Sequence, residues 1–164
     1  MHNFKNSLAI GKAGEATFIA LAAAVGIDLV GTDGRKGDTI GPGGHKWEIK
    51  TDSYDMLKTG NFFIETWSDL DNLKPGGPTQ ALLHDCKYFA YYFSLNKQAF
   101  VFDTADLCLQ LQNVPLGRPR YIKNARWTTV GYAVPRSLLK HLYTIDSKGI
   151  THPSTAKLSL VTNE

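Results

Sequence analysis

Apolar residues near the start of the chain recur every three or four positions, which is the spacing of one face of an α-helix. We therefore expect a helix over residues 7–25, capped by Ser7 or Asn6 and ended by Gly26. Its predicted buried stripe consists of Ile10, Gly14, Phe18, Leu21 and Val25. Glu15 flanks this stripe, so we expect its carboxylate at the boundary between core and solvent.

Short runs of β-branched and aromatic residues follow, separated by turns rich in Gly, Pro and Asn. Strands are predicted over residues 27–31, 38–40, 47–51, 61–67, 87–95, 98–102 and 127–133. Further helices are predicted over residues 79–85, over 104–112 with Thr104 as the cap, and over 135–141 with Pro135 in the first turn. This order predicts an α/β domain with helices packed on a central sheet. No periodicity follows Asp146, so we expect one domain over residues 1–146 and a C-terminal tail over 147–164.

The length and composition of the chain favour a globular, single-domain protein over a membrane or secreted one. The 164 residues, 43% of them hydrophobic, suffice for one domain with its own core. No apolar run reaches the ~18 residues of a membrane span and no secretion signal is visible, so we expect a cytoplasmic, intracellular protein with no membrane partner. Cys86 and Cys108 lack metal-site spacing and are expected to be free thiols. A net charge of +3 permits a polyanionic partner without requiring one.

The segment with the clearest chemistry is DTIGPGGHKWEIKTD, in which Asp38 precedes Glu48 by ten positions across a Gly/Pro turn. Side chains at i and i+2 of a strand lie about 7 Å apart on one face, so Glu48 and Lys50 should share a face. Clustered charges near the inner face of a sheet cost free energy unless something offsets them, as a divalent cation beside a phosphate would. Two carboxylates with the Ile49 carbonyl suit the oxygen preference of Mg²⁺, and Glu15 could reach the same cation from the first helix.

This arrangement resembles the PD-(D/E)xK nuclease superfamily, in which an acid on the first helix precedes an Asp and then Glu-x-Lys on the next strand. The matching residues here are Glu15, Asp38, Glu48 and Lys50. The resemblance runs from about residue 11 to residue 102, because NFFIETWSD and PGGPTQALLHDCKYFAYYF look like the segments that complete the core in phage and restriction-type members. The chain departs from the family pattern in having Gly37 before Asp38, and Asp33 is a rival for the Asp position.

The resemblance implies a restriction-endonuclease-like core, with a central mixed sheet of about five strands flanked by helices. It also implies a Mg²⁺-dependent deoxyribonuclease, with Mn²⁺ as a substitute, that hydrolyses phosphodiester bonds and leaves a 5′-phosphate. Asp38, Glu48 and the Ile49 carbonyl would hold the ion, Glu15 would support it or a second ion, and Lys50 would position the attacking water.

Further residues are candidates for contact with DNA. They are Thr51, Gln80, Lys87, Arg118, Arg120, Lys123 and Arg126. The last four alternate with Tyr121 and Trp127, a pattern that suits phosphate and base-stacking contacts, although a solvated basic loop has the same composition. Glu65, in the strand NFFIETW, fits a sheet edge and the site equally well.

These observations predict a DNA endonuclease acting in the nucleoid or in the cytoplasm of a phage-infected host. A chain of 164 residues leaves little room for a target-recognition domain, which favours cleavage of branched or junction DNA, as by a Holliday junction resolvase. Two cuts need two sites, so a homodimer is expected. Two alternatives stay open, namely a restriction-type endonuclease with a short recognition sequence and a non-catalytic nucleic-acid-binding module on the same fold.

Overall fold

The computed structural model describes residues 4–31 and 39–153 of the chain, with side chains from residue 8 onward. The helices in those residues are α1 (Phe4–Ala24), α2 (Gly77–Leu83) and α3 (Thr104–Asn113). The strands are β1 (Val30–Gly31), β2 (Thr39–Ile40), β3 (Lys46–Asp52), β4 (Asn61–Asp69), β5 (Lys74–Pro75), β6 (Cys86–Phe93), β7 (Gln98–Asp103), β8 (Arg120–Lys123), β9 (Thr128–Pro135), β10 (Tyr143–Asp146) and β11 (Gly149–Thr151). No helix in the described residues is long and apolar enough to cross a lipid bilayer.

The strands form two sheets. A seven-stranded mixed sheet has the order β1-β2-β3-β6-β7-β10-β11, in which β3 and β6 pair in parallel. A four-stranded antiparallel sheet has the order β5-β4-β9-β8. The expected α/β class is confirmed, but the central sheet has more strands than the five expected. The strand NFFIETW, which is part of β4, does not belong to the central sheet. It lies in the connection between β3 and β6, which also contains β5 and α2, and it pairs within the second sheet.

Helix α1 covers one face of the seven-stranded sheet. Phe18 and Ala22 are fully buried there against Trp47 of β3 and Tyr92 of β6. The predicted stripe holds at Gly14 and Phe18 but not at Ile10, whose side chain is 47% exposed. Gly14 meets Thr51 near the end of β3, so Ile10, one helical turn earlier, extends beyond the strand.

The opposite face of this sheet packs against the second sheet, α2 and α3. Phe62 of β4 and Val134 of β9 are buried here against Phe89 of β6, Phe102 of β7 and Leu107 of α3. The molecule therefore has three layers, with two hydrophobic clusters separated by the seven-stranded sheet. Any polar side chain on the inner face of β3 is consequently held between the two sheets.

Several predicted elements are wrong in detail. Residues 135–141 form no α-helix, since β9 continues through Pro135 and only a short 3₁₀ turn follows at Arg136–Leu138. The sequence pattern predicts no strand at residues 120–123 or after residue 146, yet β8 pairs with β9 and β11 pairs with β10. Edge strands of three or four residues have too little periodicity to be recognised from their sequence.

The close approach of α1 to β3 depends on Gly14. A Cβ atom at this position would lie 2.2 Å from Thr51 Cγ2 and 2.7 Å from Thr51 Cβ. We expect Gly14→Ala to lower the free energy of unfolding by about 1–3 kcal/mol, because the helix must move off the strand. Gly11→Ala is the matched control, since an added Cβ there has no atom within 4 Å and should stabilise the helix by about 0.5–1 kcal/mol. Urea denaturation giving the same change for both variants would contradict this packing.

The cap of α3 differs from the prediction. The Asp103 carboxylate, not the Thr104 hydroxyl, accepts a hydrogen bond from the Asp106 backbone N–H at 2.9 Å. Lys87 Nζ also binds this carboxylate, and the hydrogen bond from Lys87 together with the backbone N–H groups lowers the pKa of Asp103. Thr104 is fully buried, and its Oγ1 has no hydrogen-bond partner within the part of the chain that the structure describes.

Two variants separate these roles. Asp103→Ala should lower the free energy of unfolding by about 1 kcal/mol at pH 7, because an N-cap is lost. Since the pKa of Asp103 is lowered in the folded state, its contribution is present above the ordinary value of 3.8 and is lost as the pH falls through the folded-state pKa. The difference from the parent protein should therefore shrink in denaturation curves recorded below about pH 4. Thr104→Val should leave stability unchanged or raised, and a loss as large as that of Asp103→Ala would contradict the assignment of the cap.

Candidate functional site

Strand β3 presents Glu48 and Lys50 on its inner face. Trp47 and Ile49 pack with the α1 cluster, so the alternating residues project toward the second sheet. The register between β3 and β6 supports this orientation. Glu48 lies beside Phe89 and Lys50 beside Tyr91, and both aromatic residues belong to the hydrophobic cluster between the two sheets. Within the described residues β2 pairs only with Lys46 and Trp47. Among residues 4–31 and 39–153, no strand pairs with β3 on the β2 side from Glu48 onward.

Lys50 reaches across to the second sheet. Its Nζ lies 3.9 Å from Glu65 Oε2 of β4, with 36% of the Lys50 side chain and 19% of the Glu65 side chain exposed. Burial raises the pKa of Glu65, and the positive charge of Lys50 opposes that rise. The site thus contains the Lys50 amine beside the partly desolvated Glu65 carboxylate. Lys50 lies on β3, the strand that also carries Glu48.

Glu15 lies on the other face of the seven-stranded sheet. Its Oε1 accepts a hydrogen bond from Thr39 Oγ1 at 2.9 Å, and Thr39 is fully buried. Thr39 pairs with Trp47, so its side chain shares the α1 face with that residue. The structure therefore does not bring Glu15 to the inner face of Glu48 and Lys50. It couples Glu15 to the start of β2, directly after Asp38 in the sequence.

Asp38 and its rival Asp33 lie outside the described residues. No group of three or more His, Cys, Asp or Glu side chains that could hold a metal ion occurs in residues 4–31 and 39–153. Any cation site on β3 would therefore need an additional ligand from residues 32–38 or from a substrate. Ile49 contributes its side chain to the α1 cluster, which leaves only its backbone carbonyl as a candidate ligand.

Asp52, two residues beyond Lys50, is linked to the second sheet through Tyr91 of β6. Tyr91 OH donates a hydrogen bond to Asp52 Oδ2 and accepts one from the Phe63 backbone N–H at 2.9 Å. Asp52 Oδ1 accepts a hydrogen bond from the Tyr54 N–H at 2.8 Å. Burial, followed by the charge of Asp52, raises the pKa of Tyr91 well above its usual range. These contacts fix β4 against β3 beside Lys50.

Three of the candidate DNA contacts have other neighbours. Thr51 is a correction, because its Oγ1 is buried and its side chain packs on Gly14, so it cannot reach a nucleic acid. Lys87 forms an ion pair with Asp103 beside α3. Gln80 is half-buried on α2, a helix that contacts both β3 and β4.

The four basic candidates lie together on or beside β8. Arg118, Arg120, Lys123 and Arg126 are all exposed, and Tyr121 of the same segment is 62% exposed. Arg120 pairs with Gly131 of β9, which pairs in turn with Glu65 of β4. Cross-strand partners project from the same face of a sheet, so Arg120 and Glu65 share a face about 10 Å apart, two strand spacings. Gly131 has no side chain, and the Phe63 ring occupies the space above it, since an added Cβ would lie 2.4 Å from Phe63 Cζ.

The sequence did not identify Glu65 as the partner of Lys50. An acid within an otherwise apolar strand was the available signal, but its partner depends on how the second sheet folds back over β3. Cys86, which is buried, and Cys108, which is half-buried, form no disulfide within the part of the chain that the structure describes.

Comparisons with known proteins give no relative for this chain. No protein-family model matches the sequence, and no curated protein matches it. No solved structure matches the fold. The geometry of β3 and its surroundings is therefore the basis on which a function is assigned.

Proposed function

We propose that this protein is a metal-dependent DNA endonuclease built on a restriction-endonuclease-like core. The observation that carries the proposal is that Glu48 and Lys50 project from the same face of β3, along an edge that the described part of β2 does not cover beyond Trp47. Support comes from the surrounding elements, in which α1 covers one face of a mixed sheet and β3 pairs in parallel with β6. An acid and an amine at such an edge are accessible to a phosphodiester.

The residues present suit a hard divalent cation. The Glu48 carboxylate and the Ile49 carbonyl are oxygen donors, and Asp38, which directly precedes Thr39 in the sequence, would add a second carboxylate. We propose these three residues as the ligands of Mg²⁺, with Mn²⁺ as a substitute. When bound, the cation would polarise the scissile phosphate and stabilise the charge that develops on it.

Lys50 would supply the hydrogen-bond donors that the attacking water and the phosphate oxygens need. Its ammonium group has three N–H donors and no acceptor, so it can orient the attacking water and neutralise charge on the phosphate oxygens. Hydrolysis would leave a 5′-phosphate, as in the family that the motif resembles. Glu15 would act indirectly, because its carboxylate holds Thr39 and thereby the start of β2 beside Asp38.

We propose DNA as the substrate because the exposed cations of β8 lie on the same sheet as Glu65. A backbone passing Lys50 could continue over Arg120, which shares a face with Glu65. The preferred substrate is branched or junction DNA, cut by a homodimer with one site in each subunit. The dimer is proposed because cutting both arms of a junction needs two sites.

A cleavage assay tests this function. The purified protein is incubated with linear duplex, nicked, flapped, four-way and single-stranded DNA, with Mg²⁺, Mn²⁺ or EDTA. We expect cleavage of branched DNA with either metal and none with EDTA or with Lys50→Ala. Discrete cuts in linear duplex would instead indicate a restriction-type enzyme. Binding without cleavage of any substrate would indicate the non-catalytic module and overturn the proposal.

A further inference from the structure

The ion pair between Lys50 and Glu65 places a carboxylate in a partly buried position on β4. The carboxylate lies in a half-buried position beside one cationic group, at 3.9 Å, and burial raises its pKa. A desolvated carboxylate destabilises a fold unless it is well paired, and a hydrophobic side chain of similar size would cost less. The presence of an acid here is therefore not explained by stability.

Two consecutive glycines pack against Glu65, Gly76 against its side chain and Gly77 against its backbone. Gly76 is buried and has a φ of −129°, which any residue can adopt, so glycine is needed there for space and not for conformation. A Cβ atom on Gly76 would lie 2.8 Å from Glu65 Cγ and 2.9 Å from Glu65 Cδ. Gly77, with a φ of +52°, approaches the backbone of the same residue, and an added Cβ would lie 2.2 Å from the Glu65 carbonyl oxygen. The turn before α2 is thus shaped around Glu65.

We infer that Glu65 is a positioning residue that holds the Lys50 ammonium group on the face of β3 that also carries Glu48, ready to contact the phosphate and the attacking water. The inference rests on the proposed function for the identity of the reaction, but the contact itself is independent of it. A lysine side chain loses rotamer entropy when it is ordered, and Glu65 orders it before the substrate arrives. The second sheet is therefore part of the catalytic apparatus as well as of the core.

The test uses Glu65→Gln, which keeps the size of the side chain and removes its charge. Asp69→Asn is the matched control, since Asp69 lies on the same strand and its carboxylate binds the exposed Asn72. The first readout is the rate at which an amine-acylating reagent modifies Lys50, measured by mass spectrometry against the exposed Lys97. We expect Lys50 to react at least threefold faster in Glu65→Gln and at the parent rate in Asp69→Asn.

The second readout is cleavage under saturating Mg²⁺. We expect Glu65→Gln to lower kcat about tenfold while KM stays within twofold, because the exposed cations of β8 are proposed to supply most of the DNA binding and the variant retains them. Glu65→Asp should recover part of the loss. Gly76→Ala provides a second variant that displaces Glu65 without changing any charge, and it should also increase acylation of Lys50.

The two readouts separate this inference from the proposed function. A parent protein that cuts no DNA would overturn the proposed function, while the acylation rates would still decide whether Glu65 holds Lys50. Unchanged acylation of Lys50 in Glu65→Gln would overturn the inference, whatever happens to kcat. Equal losses of kcat in Glu65→Gln and Asp69→Asn would overturn it as well.

Discussion

Replacing Glu48 by glutamine is expected to lower the rate of metal-dependent DNA cleavage by about 100- to 1,000-fold, the usual cost of removing one group that stabilises transition-state charge. Glutamine has nearly the shape of glutamate but no charge, so the cation loses a carboxylate ligand while β3 keeps its packing. The measurement is a single-turnover cleavage rate with enzyme in excess over DNA. In EDTA, the variant should bind DNA as tightly as the parent protein or more tightly, since one carboxylate no longer repels the phosphates.

Asp71→Asn is the control for this change, because it removes one negative charge at an exposed position between β4 and β5. It should cleave DNA at the parent rate. A Glu48→Gln protein that retains the parent rate would show that this carboxylate does not take part in the reaction.

Truncating Phe62 to alanine is expected to cause the largest loss of stability, about 3–5 kcal/mol in the free energy of unfolding. Phe62 is 1% exposed and lies on β4, and its ring centroid is 4.9 Å from that of Tyr91 and 5.2 Å from that of Phe100. Both partners belong to the seven-stranded sheet, so this ring joins the two sheets. The expected loss is a large part of the stability of an ordinary domain.

Denaturation in urea, followed by far-UV circular dichroism, measures this effect. Leu57→Ala is the control, because Leu57 is 82% exposed in the loop before β4 and its truncation should change stability by less than about 0.5 kcal/mol. Phe62→Ala should also weaken the Lys50–Glu65 contact, since Glu65 follows three residues later on the same strand. A loss below 1 kcal/mol would contradict the packing of the second sheet on the first.

Sequence periodicity predicted the parts of the fold that are long or strongly patterned. The first helix, the strand around Glu48 and the pair of strands from residue 86 to residue 103 all occur where their patterns indicated. The shared face of Glu48 and Lys50 was predictable for the same reason, since alternation in a strand fixes it. Phe18 was expected to be buried and is buried.

The remaining features depend on tertiary contacts that no local pattern specifies. Glu65 meets Lys50 only because the long connection between two parallel strands folds back as a second sheet. Glu15 meets Thr39, and not Glu48, because Gly14 sets the position of α1 on β3. Thr51 was considered a DNA contact because it follows Lys50 in the sequence, but alternation places it on the helix side, where its hydroxyl is buried.

The most direct test of the central claim is anomalous diffraction from crystals grown with saturating Mn²⁺. The proposed site predicts a peak about 2.1 Å from a carboxylate oxygen of Glu48, the distance expected for a small divalent cation and a hard oxygen ligand. The peak should vanish in crystals of Glu48→Gln. A map with no manganese peak at Glu48 in the parent protein would contradict the account.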